Sequence, residues 1–386
     1  MKFLGYRRPD GRIGIRNHVL IIPSVVCAEH ACKLIEAGVP GSIAVPNPSG
    51  CGQVEGDLEI VIKTLAGTAA NPNVYATLVV GLGCENAQTS IICDRIAKLT
   101  NKPLASITIH QEHGITNTVI KGREIVAKFM EEAAKVEKSE ADITELVLGT
   151  ECGGSDPTSG LAANPTIGEL SDMLVDLGAT SILSETTEFI GAEHILAERG
   201  ATPEVKEQIL GIVSDYEKHL KNAGESLRQG NPSPGNMDGG LTTLEEKSLG
   251  CIHKGGSRPV TEVVPYAIEP TKKGLVIMDT PGFDVASVTG MAAGGAQIVV
   301  FSTGLGTPTG NPIIPVIKIT GNKYTNETMA EHIDYFAGES LNGTVTVEEQ
   351  AKELFDLVME VVDGKQTCAE KHGNREFSFN RICNYV

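Results

Sequence analysis

Leu146-Val147-Leu148-Gly149-Thr150-Glu151-Cys152-Gly153-Gly154-Ser155-Asp156-Pro157-Thr158-Ser159-Gly160 decides how the rest of the chain is read. A short apolar run meets a glycine; an acid, a thiol, two more glycines, a hydroxyl and another acid follow. A buried strand that stops at such a loop puts its polar groups at its carboxyl end, where open α/β sheets bind ligands. Two other stretches repeat the arrangement. Thr77-Leu78-Val79-Val80-Gly81-Leu82-Gly83 runs into Cys84-Glu85-Asn86, and Ser42-Ile43-Ala44-Val45-Pro46 runs through Asn47-Pro48-Ser49-Gly50 into Cys51-Gly52-Gln53. Three strands, three glycine-flanked loops and three cysteines point to one shared site, with the remaining chain as its scaffold.

Outward from these stretches, apolar runs of strand length alternate with amphipathic segments. Strands are expected at 18–22, 42–45, 74–80 and 104–109, with helices at 27–37, 57–66, 90–99 and 118–138. A second alternation begins at Glu145. Strands 145–149, 181–184, 274–278 and 297–301 are interleaved with helices near 165–177, 191–199, 202–227 and 241–249. Such alternation predicts parallel sheets with right-handed crossovers. The expected fold class is α/β: two doubly wound, mostly parallel-sheet domains whose strand-end loops form a shared site. Residues 1–140 would be an N-terminal α/β domain, 141–320 a central catalytic domain, and 321–386 a C-terminal helical extension packed on the core. Asn231 to Gly240, with two prolines and three glycines, is read as neither helix nor central strand.

Composition narrows the function. With 386 residues, two or three domains of roughly 100–200 residues each are expected. Aromatic residues are 4% with no tryptophan, which disfavours stacking platforms for single-stranded nucleic acid. A formal net charge of −17 repels phosphate backbones, so no nucleic-acid partner is expected. Nine cysteines, an odd number without regular spacing or a signal peptide, read as a reducing, cytoplasmic setting rather than a disulfide framework. The apolar runs are of strand length, so no membrane span is expected.

Cys27, Cys32, Cys93 and Cys251 lie on helical stretches and read as small buried hydrophobes. Cys368 and Cys383 belong to no motif. Cys51, Cys84 and Cys152 each follow a strand among glycines and polar residues, where sulfur is exposed and backbone N–H groups favour thiolate. Three thiolates suit zinc or an iron–sulfur cluster with one open iron, although the long separations match no compact cluster spacing. Glu185, Glu188, Glu193 and His194 form a second constellation, with two readings: acids favoured near a helix start, or a general base with a histidine partner. No dinucleotide fingerprint, phosphate loop or serine-hydrolase elbow is present. Arg16 and Asn17, before the strand at 18–22, are either part of a surface hairpin or contacts for an anionic substrate.

At this point the motifs resemble the altronate and galactarate dehydratase family. They include Thr150-Glu151-Cys152-Gly153-Gly154-Ser155-Asp156, Leu183-Ser184-Glu185-Thr186-Thr187-Glu188 with Gly191-Ala192-Glu193-His194, and Asn231-Pro232-Ser233-Pro234-Gly235-Asn236. Gly83-Cys84-Glu85, Glu246-Lys247-Ser248-Leu249-Gly250, Met278-Asp279-Thr280-Pro281-Gly282 and Thr303-Gly304 belong with them. The resemblance runs from about Gly5 to Lys318 and more weakly beyond. It implies a lyase that removes water from sugar acids and needs iron. The family also includes the large subunit of sulfolactate sulfo-lyase. Because several members carry an extra small N-terminal domain, the resemblance implies a separately encoded small subunit and a homo- or hetero-oligomer. The stretch His110-Gln111-Glu112-His113-Gly114, and the lack of a cysteine near Asp334-Tyr335-Phe336-Ala337-Gly338, depart from the family pattern.

The leading expectation is therefore a hydro-lyase acting on a small anionic hydroxy acid. The catalytic residues would be Glu185, His194 and Lys247. Substrate would be held by Arg16, Asn17, Ser155, Asp156, Asn236 and Thr303. Iron would sit on Cys51, Cys84 and Cys152, as a [4Fe-4S] cluster or, alternatively, as a mononuclear Fe2+ or Mn2+ ion. Sulfite elimination from sulfolactate is the alternative reaction, and a small-acid binding protein the non-enzyme alternative.

Overall fold

The structure, a computed structural model, describes residues 1–383. β1 (Lys2–Arg7) and β2 (Ile13–Gly14) form a hairpin about Pro9-Asp10-Gly11, with Tyr6 opposite Gly14. The turn is made by its own residues: Gly11 adopts φ 87° and the Asp10 carboxylate accepts the Arg12 N–H at 3.1 Å. β3 (His18–Pro23), β4 (Ile43–Ala44), β5 (Val74–Gly81) and β6 (Leu104–Thr108) then build a parallel sheet in the order β4-β3-β5-β6. Helices Val26–Gly38, Glu55–Ala70, Thr89–Leu99 and Ile115–Ala133 alternate with these strands. β7 (Ser139–Asp142) returns to pair antiparallel with β1. β7 was not expected, and β1 only as part of a surface hairpin. Both have short, half-exposed sequences without an apolar run, and they are strands because they pair with each other.

The second sheet has seven strands. They are β8 (Val147–Cys152), β9 (Thr180–Leu183), β10 (Val260–Val264), β11 (Gly274–Met278), β12 (Ile298–Ser302), β13 (Val316–Thr320) and β14 (Tyr335–Phe336). Their order is β10-β11-β9-β8-β12-β13-β14, all parallel. From β8 the chain winds outward through β9, and β12 returns to the other side of β8. The winding therefore reverses between Cys152 and Ser302, which are register partners. Chains diverge there and leave a crevice at the carboxyl ends. This is the doubly wound α/β architecture expected for the chain.

One apolar cluster joins the sheets: Leu20, Ile22 and Val79 of the first pack with Val276, Val299 and Phe301 of the second. Helix Val347–Val362 places Leu354, Phe355 and Val358 in the cluster that holds Leu170 and Leu174 of helix Asn164–Asp176. The tail also contributes β14, a strand that the reading of 321–386 as a helical extension did not include. Two helices are shorter than expected, ending at Ala133 and Asn222.

Pro234–Asp238 is one helical turn, which corrects the reading of 231–240 as non-helical. Proline at the first helical position loses no hydrogen bond. Ser233 caps the turn through the Asn236 N–H, and the Asn236 side chain returns to the Ser233 N–H. No helix among the described residues is long and apolar enough to cross a membrane.

Candidate active site

The site begins where β8 ends. Glu151 and Cys152 are successive strand residues and so point to opposite faces. Both are almost completely buried. Just beyond β9, Glu185 takes a left-handed conformation at φ 67°, uncommon for a side chain other than glycine. Its N–H donates to Thr280 Oγ1 at 2.6 Å, which fixes the turn. The turn brings Glu185 Oε2 to the Cys152 N–H at 2.9 Å. Lys254, following helix Leu244–Ile252, reaches the same point from the other side. Its Nζ donates to Glu185 Oε2 at 2.6 Å, to Cys152 Sγ at 2.8 Å and to Cys251 Sγ at 3.1 Å.

Burial disfavours charge on Lys254, but Cys152, Cys251 and Glu185 more than offset it and hold the ammonium well above its usual value. Cys251 alongside and burial push the Cys152 thiol well up, against the pull of Lys254. Lys254 and Glu185 form the ion pair, and Cys152 Sγ lies against the same ammonium. Glu151 is raised well above the carboxylate range by burial, then by Glu185 and Asp284. Burial and Glu185 likewise push Asp284 up to about 7.

Above this cluster lies a cavity of about 820 Å³. Cys152, Ser155, Asn236, Lys247, Glu188 and Asp284 contribute to its walls. Glu188 Oε2 lies 2.7 Å from Lys247 Nζ, an ion pair that is not aligned as a hydrogen bond. Asn231 bridges the two, donating to Glu188 Oε1 at 3.2 Å and accepting from Lys247 Nζ at 2.8 Å. Burial raises the Glu188 carboxyl and Lys247 draws it back, leaving it above the usual value. A smaller cavity of about 250 Å³ shares Cys152, Ser155 and Lys247 and extends to Cys251.

Of the residues singled out in the sequence, Cys152, Ser155, Glu188, Asn236 and Lys247 come together at the larger cavity, and Glu185 lies beneath it. The others are placed differently. Arg16 pairs with Glu370 through two bonds of 2.7 and 2.9 Å and also donates to Val361 O and Lys365 O. Asn17 accepts from Arg8 and donates to Ala133 O. Both tie the N-terminal segment to the rest of the fold, Arg16 through the Glu370 carboxylate and carbonyls at and beyond a helix end, Asn17 through Ala133 O. Arg16→Ala is accordingly expected to lose about 1.5–3 kcal/mol of stability, as for hydrogen bonds to charged groups, with no change in KM; thermal unfolding and steady-state kinetics check this.

His194 is exposed on helix Glu193–Glu198 and is not among the described residues lining the cavity. Asp156 caps its own loop through the Ser159 N–H and Thr158 hydroxyl, and its second oxygen accepts from Asn322. Thr303 accepts the Gly306 N–H in a turn. These short polar side chains are used by their own loops.

Cys51 and Cys84 lie on adjoining exposed loops, joined by Ala87 N–H to Gly50 O at 2.9 Å and Gly52 N–H to Asn86 Oδ1 at 3.1 Å. Cys152 is instead buried against Lys254. Among the described residues, the sets whose ligand atoms all lie within 4.8 Å are Cys152/Glu185/Cys251 and Glu151/Glu185/Asp284, not the three loop cysteines. The first set has an ammonium among its donors; the second is made of oxygen alone.

Lys254, Glu151 and Asp284 were not singled out for the site, and Cys251 was read as a plain buried hydrophobe. The available signals were the Cys251 and Lys254 spacing of three, which shares a helix face, and an acid, Glu151, directly at a strand end, where a carboxylate is unusual unless paired.

A parallel-sheet protein whose strand ends gather carboxylates, lysines and a thiol around a polar cavity has the make-up of an acid–base enzyme. Two family models account for most of the chain: "D-galactarate dehydratase/Altronate hydrolase, second domain" over residues 5–134, and "D-galactarate/Altronate dehydratase, C-terminal" over 143–384. The chain belongs to this dehydratase family of lyases. It is 38% identical over 382 residues to the (2R)-sulfolactate sulfo-lyase subunit beta of Chromohalobacter salexigens, covering 98% of this chain and 97% of that protein. It is 35% identical over 387 residues to the altronate dehydratase of Bacillus subtilis, covering 97% of this chain and 77% of that one. The galactarate dehydratase (L-threo-forming) of Escherichia coli is 34% identical over 383 residues, covering 94% and 73%.

Proposed function

We propose that the protein is a hydro-lyase that removes water from a sugar acid such as altronate or galactarate, giving a 2-keto-3-deoxy acid. The observation that carries this reading is the Glu188–Lys247 ion pair on the wall of the cavity of about 820 Å³. Dehydration of a hydroxy acid needs a base for the proton next to the carboxylate and an acid for the leaving oxygen. Glu188, a buried carboxylate with raised proton affinity, takes the proton. The C–H electrons form the double bond as the C–O bond breaks. Lys247 donates to the departing hydroxyl, which leaves as water, and the enol becomes the ketone. Asn231 holds the pair at its spacing; Ser155 and Asn236, at the cavity, orient substrate hydroxyls. A divalent metal, when bound, supplies Lewis-acid stabilisation of the charge that builds on the substrate carboxylate.

The cavity lies within the range usual for small-molecule sites and has room for a six-carbon chain. The second reading, sulfite elimination from sulfolactate, is favoured by the end-to-end match to a sulfo-lyase subunit. Against it, the lysine at the cavity wall is already paired with Glu188, so a sulfonate would have to compete for it. That relative's name also supports a separately encoded small subunit for this chain. The test is an assay of altronate, galactarate and sulfolactate, with and without the small subunit. Keto-acid formation from altronate or galactarate supports the hydro-lyase; sulfite release from sulfolactate overturns it for the second reading. Saturable binding of these acids with no turnover makes the protein a binding protein.

A further inference from the structure

We propose that Glu151, Glu185 and Asp284 hold one hard divalent cation beneath the cavity. This rests on the lyase reading only for the cation's use, not for its binding. The three carboxylates offer oxygens all within 4.8 Å of one another. Each of the two glutamates has one oxygen anchored and one open. Glu151 Oε2 accepts from Ser287 Oγ at 2.6 Å and Ser184 Oγ at 3.0 Å. Glu151 Oε1 is completely buried and has no hydrogen-bond partner among the described residues. Glu185 Oε2 is held by Lys254 and the Cys152 N–H, leaving Oε1 with only the thiol at 3.6 Å. Asp284 completes the set from the cavity wall.

Charge makes the same point. Three carboxylates face one ammonium, Lys254, while Lys247 is taken by Glu188. Buried carboxylates this close either hold protons or take a cation as counter-charge. An all-oxygen donor set selects Mg2+, Mn2+ or Fe2+ over softer metals or an iron–sulfur cluster. The anchoring hydroxyls of Ser184 and Ser287 orient a ligating carboxylate in the way outer-shell partners do. Gly153 is part of the device: a Cβ there would run into Asp284 Oδ2.

The test is Mn2+ binding to chelator-stripped full-length protein, read by electron paramagnetic resonance and calorimetry, with circular dichroism to confirm folding. One Mn2+ per chain is expected. Glu151→Gln and Asp284→Asn should each weaken it at least ten-fold, while Cys51→Ser and Cys84→Ser leave it unchanged. A variant that stays folded by circular dichroism but binds no Mn2+ is the informative case. Mn2+ affinity unchanged in both carboxylate variants would overturn the site, as would iron with acid-labile sulfide that is lost on replacing Cys51 or Cys84. Mn2+ bound at the carboxylates with no elimination from any of the acids would leave the site standing and sink the lyase reading. Undiminished elimination in both carboxylate variants without bound Mn2+ would leave the site and the lyase reading standing and overturn the cation's use in the reaction.

Discussion

Glu188→Gln is expected to lower kcat on the preferred acid by about 10²–10⁴-fold, the usual worth of a positioned general base. Glutamine keeps the length of the side chain and can still accept from Asn231, so the cavity wall should hold. Substrate binding, which depends on Lys247 and the neighbouring hydroxyls and amides, should change much less, leaving KM within a few-fold. The pH profile adds an independent reading. Glu188 must be ionised to accept a proton, and burial has raised its pKa above the ordinary glutamate value. Wild-type activity should therefore fall as pH drops through that raised value, and the acid limb should disappear from the residual activity of the glutamine variant. An unchanged kcat, or an acid limb that persists, would remove Glu188 as the base.

Lys254→Met should be the most damaging single change to the fold, costing about 3–5 kcal/mol, the range seen when one partner of a buried ion pair is removed. Lys254 and Glu185 are both essentially inaccessible, and the pair is 2.6 Å apart. Methionine fills much of the space, but it leaves Glu185 without its cation and two sulfurs without their donor. Thermal and denaturant unfolding measure the loss. Lys254→Met combined with Glu185→Gln should recover part of it, because the uncompensated charge is gone; a double variant no more stable than the single one would mean the loss is one of packing.

The contrast between Lys247 and Lys254 shows how far residues could be read before their positions were known. Lys247 sits in a motif with a family likeness and does reach the cavity. Lys254 has no motif. It matters because helix Leu244–Ile252 ends where β8 and β9 also end. Arg16 illustrates the opposite error. Its position before a strand suited an anionic ligand, but Glu370, far away in sequence, occupies it. His194 stands in the same stretch as Glu188, yet the short helix that carries it turns the imidazole to solvent.

Local sequence by itself determined the alternation of strands and helices, the parallel sheets and the glycine-flanked loops at their carboxyl ends. These follow from short-range effects: the period of apolar residues, glycine's freedom at turns and the need of a parallel strand for cover on both faces. The tertiary structure alone decided which polar groups share a site. Cys51, Cys84 and Cys152 follow the same local pattern, yet two are exposed on the first sheet's loops and one is buried in the second. Which strand ends converge depends on where the winding reverses and on the apolar cluster that sets one sheet against the other. Both are sums of contacts between residues far apart in the chain. The ion pairs Lys254–Glu185 and Lys247–Glu188, and the carboxylates of Glu151 and Asp284, exist as a site only because that packing took them out of water together.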